Sequence, residues 1–218
     1  DFPKNCIYMR WNYFYPWAEG NLKTIDWYKE NDMKVMGATA GQTRWILMPQ
    51  DYSNIESIKS FSLTSVEKNL DGLLLTLWDD DSPHFELYKR GIYSFAEYTW
   101  GGKDLNPNDF KSNFRHRYFS PDFSDIEYSF IDELDMPVRD WANLFIVEKK
   151  HRNQITKTSL PLETHIVELP EINNSGKWNQ KFDKKISIAK NHIKDLKIII
   201  EKIKLQQTKT IRGSYALE

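Results

Sequence analysis

Three short apolar segments in the first hundred residues are each followed by a segment with helical spacing, and this repeated order constrains the fold most. The apolar segments are Cys6–Trp11, Lys34–Thr39 and Leu73–Trp78. They begin near residues 6, 34 and 72, about 28 and 38 residues apart, which leaves room for a helical crossover between parallel strands. The third segment is apolar at nearly every position, as in a parallel strand that is covered on both faces. The order predicts an α/β fold with a parallel sheet.

The segments between and after these strands carry the signals of helices. Helices are predicted over Asn21–Asn31 and Asn54–Asn69, and a third begins where Ser82 can cap it and Pro83 can occupy its first position. A complete barrel of this type has eight strand–helix units in about 250 residues. Only three such units are visible in this sequence. We therefore predict a partial (β/α)8 TIM barrel over residues 1–102.

The character of the chain changes after Gly102. Residues 1–102 carry 10 basic and 14 acidic side chains, whereas residues 103–218 carry 20 and 17. We predict a boundary there and an all-α C-terminal helical domain over residues 103–218. Its predicted helices are Pro107–Arg117, Ser124–Leu134, Pro137–Lys150 and about Asn179–Gln206.

The last of these helices has apolar residues spaced alternately by four and three positions, which is the spacing of a heptad seam. This seam either packs against the helices between Ser124 and Lys150 as a bundle or forms an intermolecular coiled coil. The sequence leaves both alternatives open. The seam residues are Phe182, Ile186, Ala189, Ile193, Leu196, Ile200 and Ile203.

Charge and composition argue against several classes of function. Thirty basic and 31 acidic side chains give a net charge of −1, so a nucleic-acid partner is not expected. No apolar run approaches the roughly 20 residues that span a bilayer, so no membrane partner is expected. The single cysteine, Cys6, can form neither an internal disulfide nor a thiolate zinc site, and its apolar surroundings predict a core position. The five histidines have no metal-ligand spacing and no phosphate-binding loop is present, so neither a metal nor a cofactor is predicted.

Aromatic residues are abundant, and the tryptophans are concentrated at one end of the chain. The sequence has 8 Trp, 11 Tyr and 12 Phe, and six of the tryptophans lie in the first hundred residues. Flat aromatic rings stack on the C–H faces of sugars, so a sugar-binding cleft is one interpretation. A tryptophan-rich core is the alternative.

The residues at the carboxyl ends of the predicted strands are the candidates for a binding site, because α/β barrels place their active sites there. Trp11, Trp45, Trp78, Asp79 and Asp80 occupy such positions. The acidic run that includes the two aspartates has three interpretations: it contacts sugar hydroxyls, it caps the helix that follows, or it holds a metal.

Two stretches of the sequence, Gly72–Asp80 and Phe95–Trp100, resemble the end of the catalytic barrel in the family-20 glycoside hydrolases, the β-N-acetylhexosaminidases. In that family the last barrel strand ends in Trp-x-Glu, and the next helix contains Ala-Glu-x-x-Trp. The resemblance covers roughly residues 5–102 and implies that the three predicted strands are the last three of the barrel.

The resemblance also implies roles for individual residues. Trp78 matches the aromatic wall of the pocket for N-acetylhexosamine, Asp80 matches the glutamate that binds the outer hydroxyls, and Trp11 matches the tryptophan of the sixth strand. Two departures are visible. Asp80 is one methylene shorter than the glutamate, and Gly41–Trp45 stands where the family has Tyr-x-Asp. Glu97, in the helix behind the strand, is expected to be a structural partner of a buried arginine or backbone group.

The family's general acid is a glutamate after the fourth strand, and this sequence has no match for that strand. The resemblance therefore implies the C-terminal part of a glycoside hydrolase that acts on N-acetylhexosamine-type glycans and contributes part of the sugar-binding cleft. The alternative is a non-catalytic carbohydrate-binding or helical interaction module. Since the chain begins at Asp1, almost directly in a strand pattern, we expect it to be a piece of a longer protein. The expected partners are a carbohydrate and a second copy of the chain, bound through the incomplete barrel.

Overall fold

The computed structural model describes residues 2–13, 15–42, 55–78, 88–101, 104–120, 133 and 175–211. These residues form three strands and five helices. In chain order the elements are β1 (Ile7–Trp11), α1 (Glu19–Glu30), β2 (Lys34–Gln42), α2 (Ser57–Glu67), β3 (Gly72–Leu77), α3 (Lys89–Gly101), α4 (Pro107–Tyr118) and α5 (Ser175–Gln207).

The strands form a parallel sheet in the order β1-β2-β3. The register pairs Trp11 with Ala38 and Ala38 with Leu74, and it shifts between Ala40 and Gln42. The three predicted strands are confirmed, as is their parallel arrangement, because each apolar segment is separated from the next by a helix that returns the chain to the same end of the sheet.

Helix α1 packs on one face of the sheet. The Arg10 Nε donates a hydrogen bond to the Asn21 Oδ1 at 2.7 Å, and the ring of Tyr8 stacks on that of Tyr28 with centroids 4.9 Å apart. Residues 8 and 10 lie two apart on β1, so their side chains share a face. The contacts therefore place α1 on the face that contains Tyr8 and Arg10.

Helices α2 and α3 pack on the same face, where glycines of β2 leave room for them. A Cβ added at Gly37 would lie 2.9 Å from the ring of Phe61 on α2. A Cβ added at Gly91 on α3 would lie 2.9 Å from the Cα of Gly41. Because Gly37 pairs with Arg10 in the register, the three helices cover one face of the sheet.

The opposite face of the sheet is apolar, and its residues on the edge strands β1 and β3 are exposed, whereas Ala38 and Ala40 of β2 are buried. Ile7, Met9 and Trp11 of β1 and Leu74 of β3 all lie on it, and all four are exposed. A barrel would bury these inward-facing side chains in layers. The prediction of a partial (β/α)8 TIM barrel is therefore wrong, since the described strands form an open three-stranded sheet on which α1, α2 and α3 all pack against one face. The expectation that β3 is covered on both faces is wrong for the same reason.

The second half of the chain contributes α4 and α5 to the described residues. The predicted helix at Pro107 is confirmed by α4, which the Asn106 side chain caps by accepting a hydrogen bond from the Asn108 N at 2.8 Å. The predicted final helix is confirmed by α5. The helices predicted over Ser124–Leu134 and Pro137–Lys150 lie outside the described residues, apart from the single residue 133.

The chain divides into two compact units, one formed by Asp1–Ser129 with Gln206–Glu218 and the other by Phe130–Leu205. The predicted boundary between residues 102 and 103 stays a prediction, since neither residue is among those described. None of the helices in the described part of the chain is long and apolar enough to cross a membrane.

The core of the sheet-containing unit consists of aliphatic and aromatic side chains from the sheet and from α1 to α4. Cys6, predicted to lie in this core, is exposed instead; it precedes β1 by one residue, and the adjoining Ile7 is exposed as well. Its Sγ donates to the Pro3 carbonyl oxygen at 3.3 Å. The fully buried members of the core include Ile25, Val35, Ile55, Ile58, Phe61 and Tyr98.

Burial of Tyr98 predicts a loss of stability at high pH. Its hydroxyl donates to the Leu105 carbonyl oxygen at 3.3 Å. Burial, together with the carboxylates of Glu97 and Asp104, raises the pKa of Tyr98 from its ordinary value near 10 to about 12. The unfolded chain therefore releases this proton first, so the free energy of unfolding should be unaffected below pH 10 and should fall between pH 10 and 12.

Chemical denaturation across this pH range, with tyrosinate absorbance recorded in parallel, measures the effect. Tyr98→Phe should reduce the slope of stability against pH above pH 10 and remove one late-titrating tyrosine. Partial burial and the neighbouring Cys6 thiol also raise the pKa of Tyr8 to about 12. Tyr8→Phe is therefore the comparison variant, and it should change the slope less than Tyr98→Phe does, because Tyr8 is more accessible to solvent. If Tyr98→Phe leaves the slope of stability against pH unchanged, then the loss of stability above pH 10 does not come from Tyr98.

Candidate aromatic sugar-binding site

Three aromatic rings meet where the edge strands of the sheet end. Trp11 is the last residue of β1, Tyr13 follows it by two positions, and Trp78 comes directly after β3. The ring centroids are 5.9 Å apart for Trp11 and Tyr13, 6.2 Å for Trp11 and Trp78, and 6.0 Å for Tyr13 and Trp78. We call these three residues the aromatic cluster.

The register of the sheet explains why side chains from two edge strands can touch. Trp11 pairs with Ala38, and Ala38 pairs with Leu74, four residues before Trp78. Alternation along β3 places Leu74 and Trp78 on the same face as Trp11. On β2, between the two tryptophans, that face carries the small buried side chains of Ala38 and Ala40. The indoles can therefore approach each other across the central strand.

Hydrogen bonds fix the position of Trp78. Its Nε1 donates to the Thr76 Oγ1 at 2.9 Å, and the Thr76 hydroxyl donates to the Thr39 carbonyl oxygen at 2.9 Å. The hydroxyl of Tyr88, which is buried just before α3, donates to the Trp78 carbonyl oxygen. The single donor of the indole is thus used within the protein, so its contribution to a ligand would come from the ring face.

The turn that carries Tyr13 is also held by hydrogen bonds. The Asn12 backbone N–H donates to the Ala38 carbonyl oxygen at 3.0 Å, which continues the pairing of β1 with β2 for one residue beyond the strand. The Asn12 Oδ1 accepts a hydrogen bond from the Tyr15 backbone N at 3.1 Å. These two bonds define the backbone on both sides of Tyr13.

The rings of the aromatic cluster are inclined to one another rather than stacked. The interplanar angles are 68° for Trp11 and Tyr13, 66° for the two tryptophans, and 58° for Tyr13 and Trp78. The exposed fractions are 45% for Trp11 and 38% for Trp78. Inclined and partly exposed rings offer apolar surfaces in several directions, which suits a ligand that has both C–H faces and outward-pointing hydroxyls.

The structure brings two of the five predicted site residues together. Trp11 and Trp78 are in contact, whereas Trp45, Asp79 and Asp80 lie outside the described residues. Tyr13 completes the cluster. Its position directly after the first strand, in the same turn as Trp11, marked it as a candidate, but it was not among the five predicted site residues.

The interpretation of the tryptophans as core residues is wrong for those whose side chains are described. All five are exposed, and none belongs to the buried core of the described residues. The amphipathic indole is large and is often placed with one edge in water, so its frequency in a sequence is a poor indicator of burial. The five are Trp11, Trp17, Trp27, Trp78 and Trp100.

Charged groups near the sheet have structural contacts. Glu97 accepts a hydrogen bond from the Arg117 Nη1 at 3.0 Å, which agrees with the predicted structural role, although this arginine is exposed rather than buried. Lys59 is bonded to the Asp104 Oδ1 at 2.5 Å and to the Leu105 carbonyl oxygen at 3.0 Å. Within the described ranges no group of three or more His, Cys, Asp or Glu residues is arranged to hold a metal ion.

Comparisons with protein-family models, with curated proteins and with solved structures found no match to this chain. The resemblance to family-20 glycoside hydrolases therefore rests on the sequence motifs alone and stays a prediction.

Proposed function

We propose that this chain binds carbohydrate through the aromatic cluster. The observation that carries the proposal is the mutual contact of Trp11, Tyr13 and Trp78, with centroids 5.9 to 6.2 Å apart on an exposed surface. Aromatic rings that serve only the core are buried, and burial of the two tryptophans would have removed far more of their apolar surface from water. Exposed and positioned rings are what a sugar requires.

The substrate class follows from the sequence motif around Trp78. The resemblance matches this residue to the aromatic wall of an N-acetylhexosamine pocket. On that basis the chain is the C-terminal part of a glycoside hydrolase that acts on N-acetylhexosamine-type glycans, and it contributes part of the sugar-binding cleft without the general acid. The alternative proposal is a non-catalytic carbohydrate-binding or helical interaction module. A coding sequence upstream of Asp1 with an Asp-Glu pair after a strand would favour the enzyme.

Titration with short glycans, followed by the indole N–H signals in NMR spectra, tests the proposal. We expect an N-acetylglucosamine oligomer to shift the signals of Trp11 and Trp78 with saturation, because these rings form the binding surface. Trp100 is the internal control, since it is 95% exposed and lies on α3. A glucose oligomer of equal length tests the preference for the acetamide. Absence of shifts at Trp11 and Trp78 with every glycan would contradict the proposal.

The chain alone should not hydrolyse N-acetylhexosaminides. The reason is that general acid catalysis contributes about 10² to 10⁴-fold to such reactions, and the sequence has no match for the residue that supplies it. An aryl N-acetylglucosaminide, incubated with repurified protein, measures this directly. Turnover at the rate of an intact glycosidase would show that the assignment of the missing acid is wrong, whether or not the glycan binds at the aromatic cluster.

We also propose that the chain forms a homodimer in which a second copy covers the edges and the exposed apolar side chains of the open sheet. Within the described residues β1 and β3 each pair with β2 alone, and unpaired strand edges recruit further strands. Sedimentation velocity should show association that increases with concentration. Met9→Lys, which places a charge on the exposed face of β1, should weaken it. A single monomeric species at every concentration would contradict the proposal.

A further inference from the structure

Helix α5 is long and strongly basic. It has 33 residues, which corresponds to about 50 Å at 1.5 Å per residue. Residues 175–207 contain nine lysines and three acidic residues. Such a helix has more positive charge than its own acidic residues can balance, so its partners are constrained by charge as well as by apolar contacts.

The a positions of the heptad seam lie beside the stripe of α5 that the fold buries, whereas the d residues Leu196 and Ile203 are half-buried at its border. In heptad notation Ile193 and Ile200 occupy a positions, and they are 52% and 46% exposed. Ile199, one position away, is only 4% exposed. The helix therefore packs along an adjoining stripe that includes Ile199. This packing leaves Ile193 and Ile200, the β-branched residues at heptad positions a, accessible. A second helix makes its apolar contacts at those positions.

Lysines line one side of this accessible seam. Lys190, Lys197 and Lys204 occupy successive e positions, and all three are exposed. In a coiled coil the e and g positions face charged groups of the partner helix and select it. Lys204 contacts Glu201 on the same helix at 2.8 Å, but an exposed pair of this kind contributes little and can be exchanged. We call the a residues and these lysines the lysine-edged seam.

A second copy of α5 is a poor partner for this seam. In an antiparallel pair the e lysines would face the same lysines of the other copy. In a parallel pair they would face g positions, which hold Lys185, His192, Ile199 and Gln206 and include no acid. The antiparallel pair would place like charges opposite each other, and the parallel pair would leave the e lysines without an acidic group to face. The charge pattern therefore requires a different helix.

A lipid surface is also a poor partner. Helices that lie on membranes present one continuous apolar face. The exposed apolar residues of α5 form two rows, Ile193 with Ile200 and Ile198 with Leu205. At 100° per residue, the exposed Lys194 and the e lysines lie between these rows. Inserting both rows into a bilayer would bury the lysine charges between them, which is costly.

We propose that the lysine-edged seam binds an acidic amphipathic helix of a partner protein. The partner helix carries aliphatic residues at its a and d positions and Glu or Asp at the positions that face Lys190, Lys197 and Lys204. The apolar contacts supply affinity, and the charge pairs set the choice of partner and its orientation. This interaction is independent of carbohydrate binding, which uses residues of the sheet-containing unit.

Two synthetic amphipathic peptides of equal length test the proposal with the full chain. They share aliphatic a and d residues and differ only in having Glu or Lys at e and g. Calorimetry should show binding of the Glu peptide at least about tenfold tighter than that of the Lys peptide, with the affinity falling as salt is added. Equal binding of both peptides, or of neither, would overturn the proposal. Binding to anionic lipid vesicles in place of the Glu peptide would overturn it as well.

Charge reversal gives the sharper test. The combined Lys190→Glu, Lys197→Glu and Lys204→Glu variant should invert the preference and select the Lys peptide, a result that a general loss of structure cannot produce. Ile193→Ser with Ile200→Ser should abolish binding of the Glu peptide. The matched control replaces the exposed residues of the other row, Ile198→Ser with Leu205→Ser, and should retain it. Retained selectivity for the Glu peptide after charge reversal would show that the lysine-edged seam is not the binding surface.

Discussion

Trp78→Ala is expected to weaken binding of an N-acetylglucosamine oligomer by about tenfold or more, equivalent to at least about 1.4 kcal/mol of binding free energy. The change removes one wall of the aromatic cluster and the ring contacts with Trp11 and Tyr13 at 6.2 and 6.0 Å. A sugar that stacks on the indole would lose that apolar surface, and the remaining two rings would lose their fixed position. Isothermal titration calorimetry with the wild-type chain as reference measures the change.

The matched control for this prediction is Trp100→Ala. Both residues are exposed tryptophans, but Trp100 lies on α3, away from the carboxyl ends of the strands. Its replacement should leave the affinity unchanged, whereas Trp11→Ala should reduce it by a similar factor to Trp78→Ala. Equal affinity in the Trp78→Ala and wild-type proteins would remove the aromatic cluster from the binding site. Circular dichroism confirms that each variant retains its fold.

Phe61→Ala should lower the free energy of unfolding by about 3 to 5 kcal/mol. Phe61 is fully buried on α2, where its ring fills the space that the absence of a side chain at Gly37 leaves above β2. Alanine would leave a cavity between α2 and the sheet, because the backbone of β2 is held by ladders on both sides and cannot move to fill it. Urea denaturation measures the loss.

The control for this prediction lies on the same helix. Val66 is exposed on α2, so Val66→Ala should change the free energy of unfolding by less than about 0.5 kcal/mol. If the two variants are equally stable, then α2 does not pack on the sheet through Phe61. A large loss of unfolding free energy in Val66→Ala would instead show that the Val66 side chain is buried in solution.

The strands and the helices were predictable because their signals are local. Apolar runs near residues 6, 34 and 72 and helical spacing after them identify β1 to β3 and α1 to α3 without reference to the rest of the chain. Closure of a barrel is not local. It depends on how many strands pair and on what covers Ile7, Met9 and Leu74, and nothing within these strands encodes either fact. The prediction of each strand was therefore correct, whereas the prediction that the strands belong to a barrel was wrong.

The aromatic cluster was predictable in part. Trp11 and Trp78 follow from the rule that parallel strands bring their carboxyl ends to one edge. Tyr13 depends on the path of a turn, which is set by the Asn12 bonds to Ala38 and Tyr15. In α5 the spacing identified the helix but not its buried side, because Ile199 and the heptad seam compete for the same packing and periodicity alone cannot rank two adjoining stripes.

The order β1-β2-β3 places the two tryptophans of the aromatic cluster on opposite sides of the same central strand, β2. Among the described strands, each edge strand is held by one ladder and β2 by two. We therefore expect local opening to begin at β1, which carries Trp11, and at β3, which precedes Trp78. A glycan that touches both indoles would bind only while both edges are closed. Under the proposed function, such a ligand should slow amide hydrogen exchange in β1 and β3 together and leave exchange in β2 governed by global unfolding.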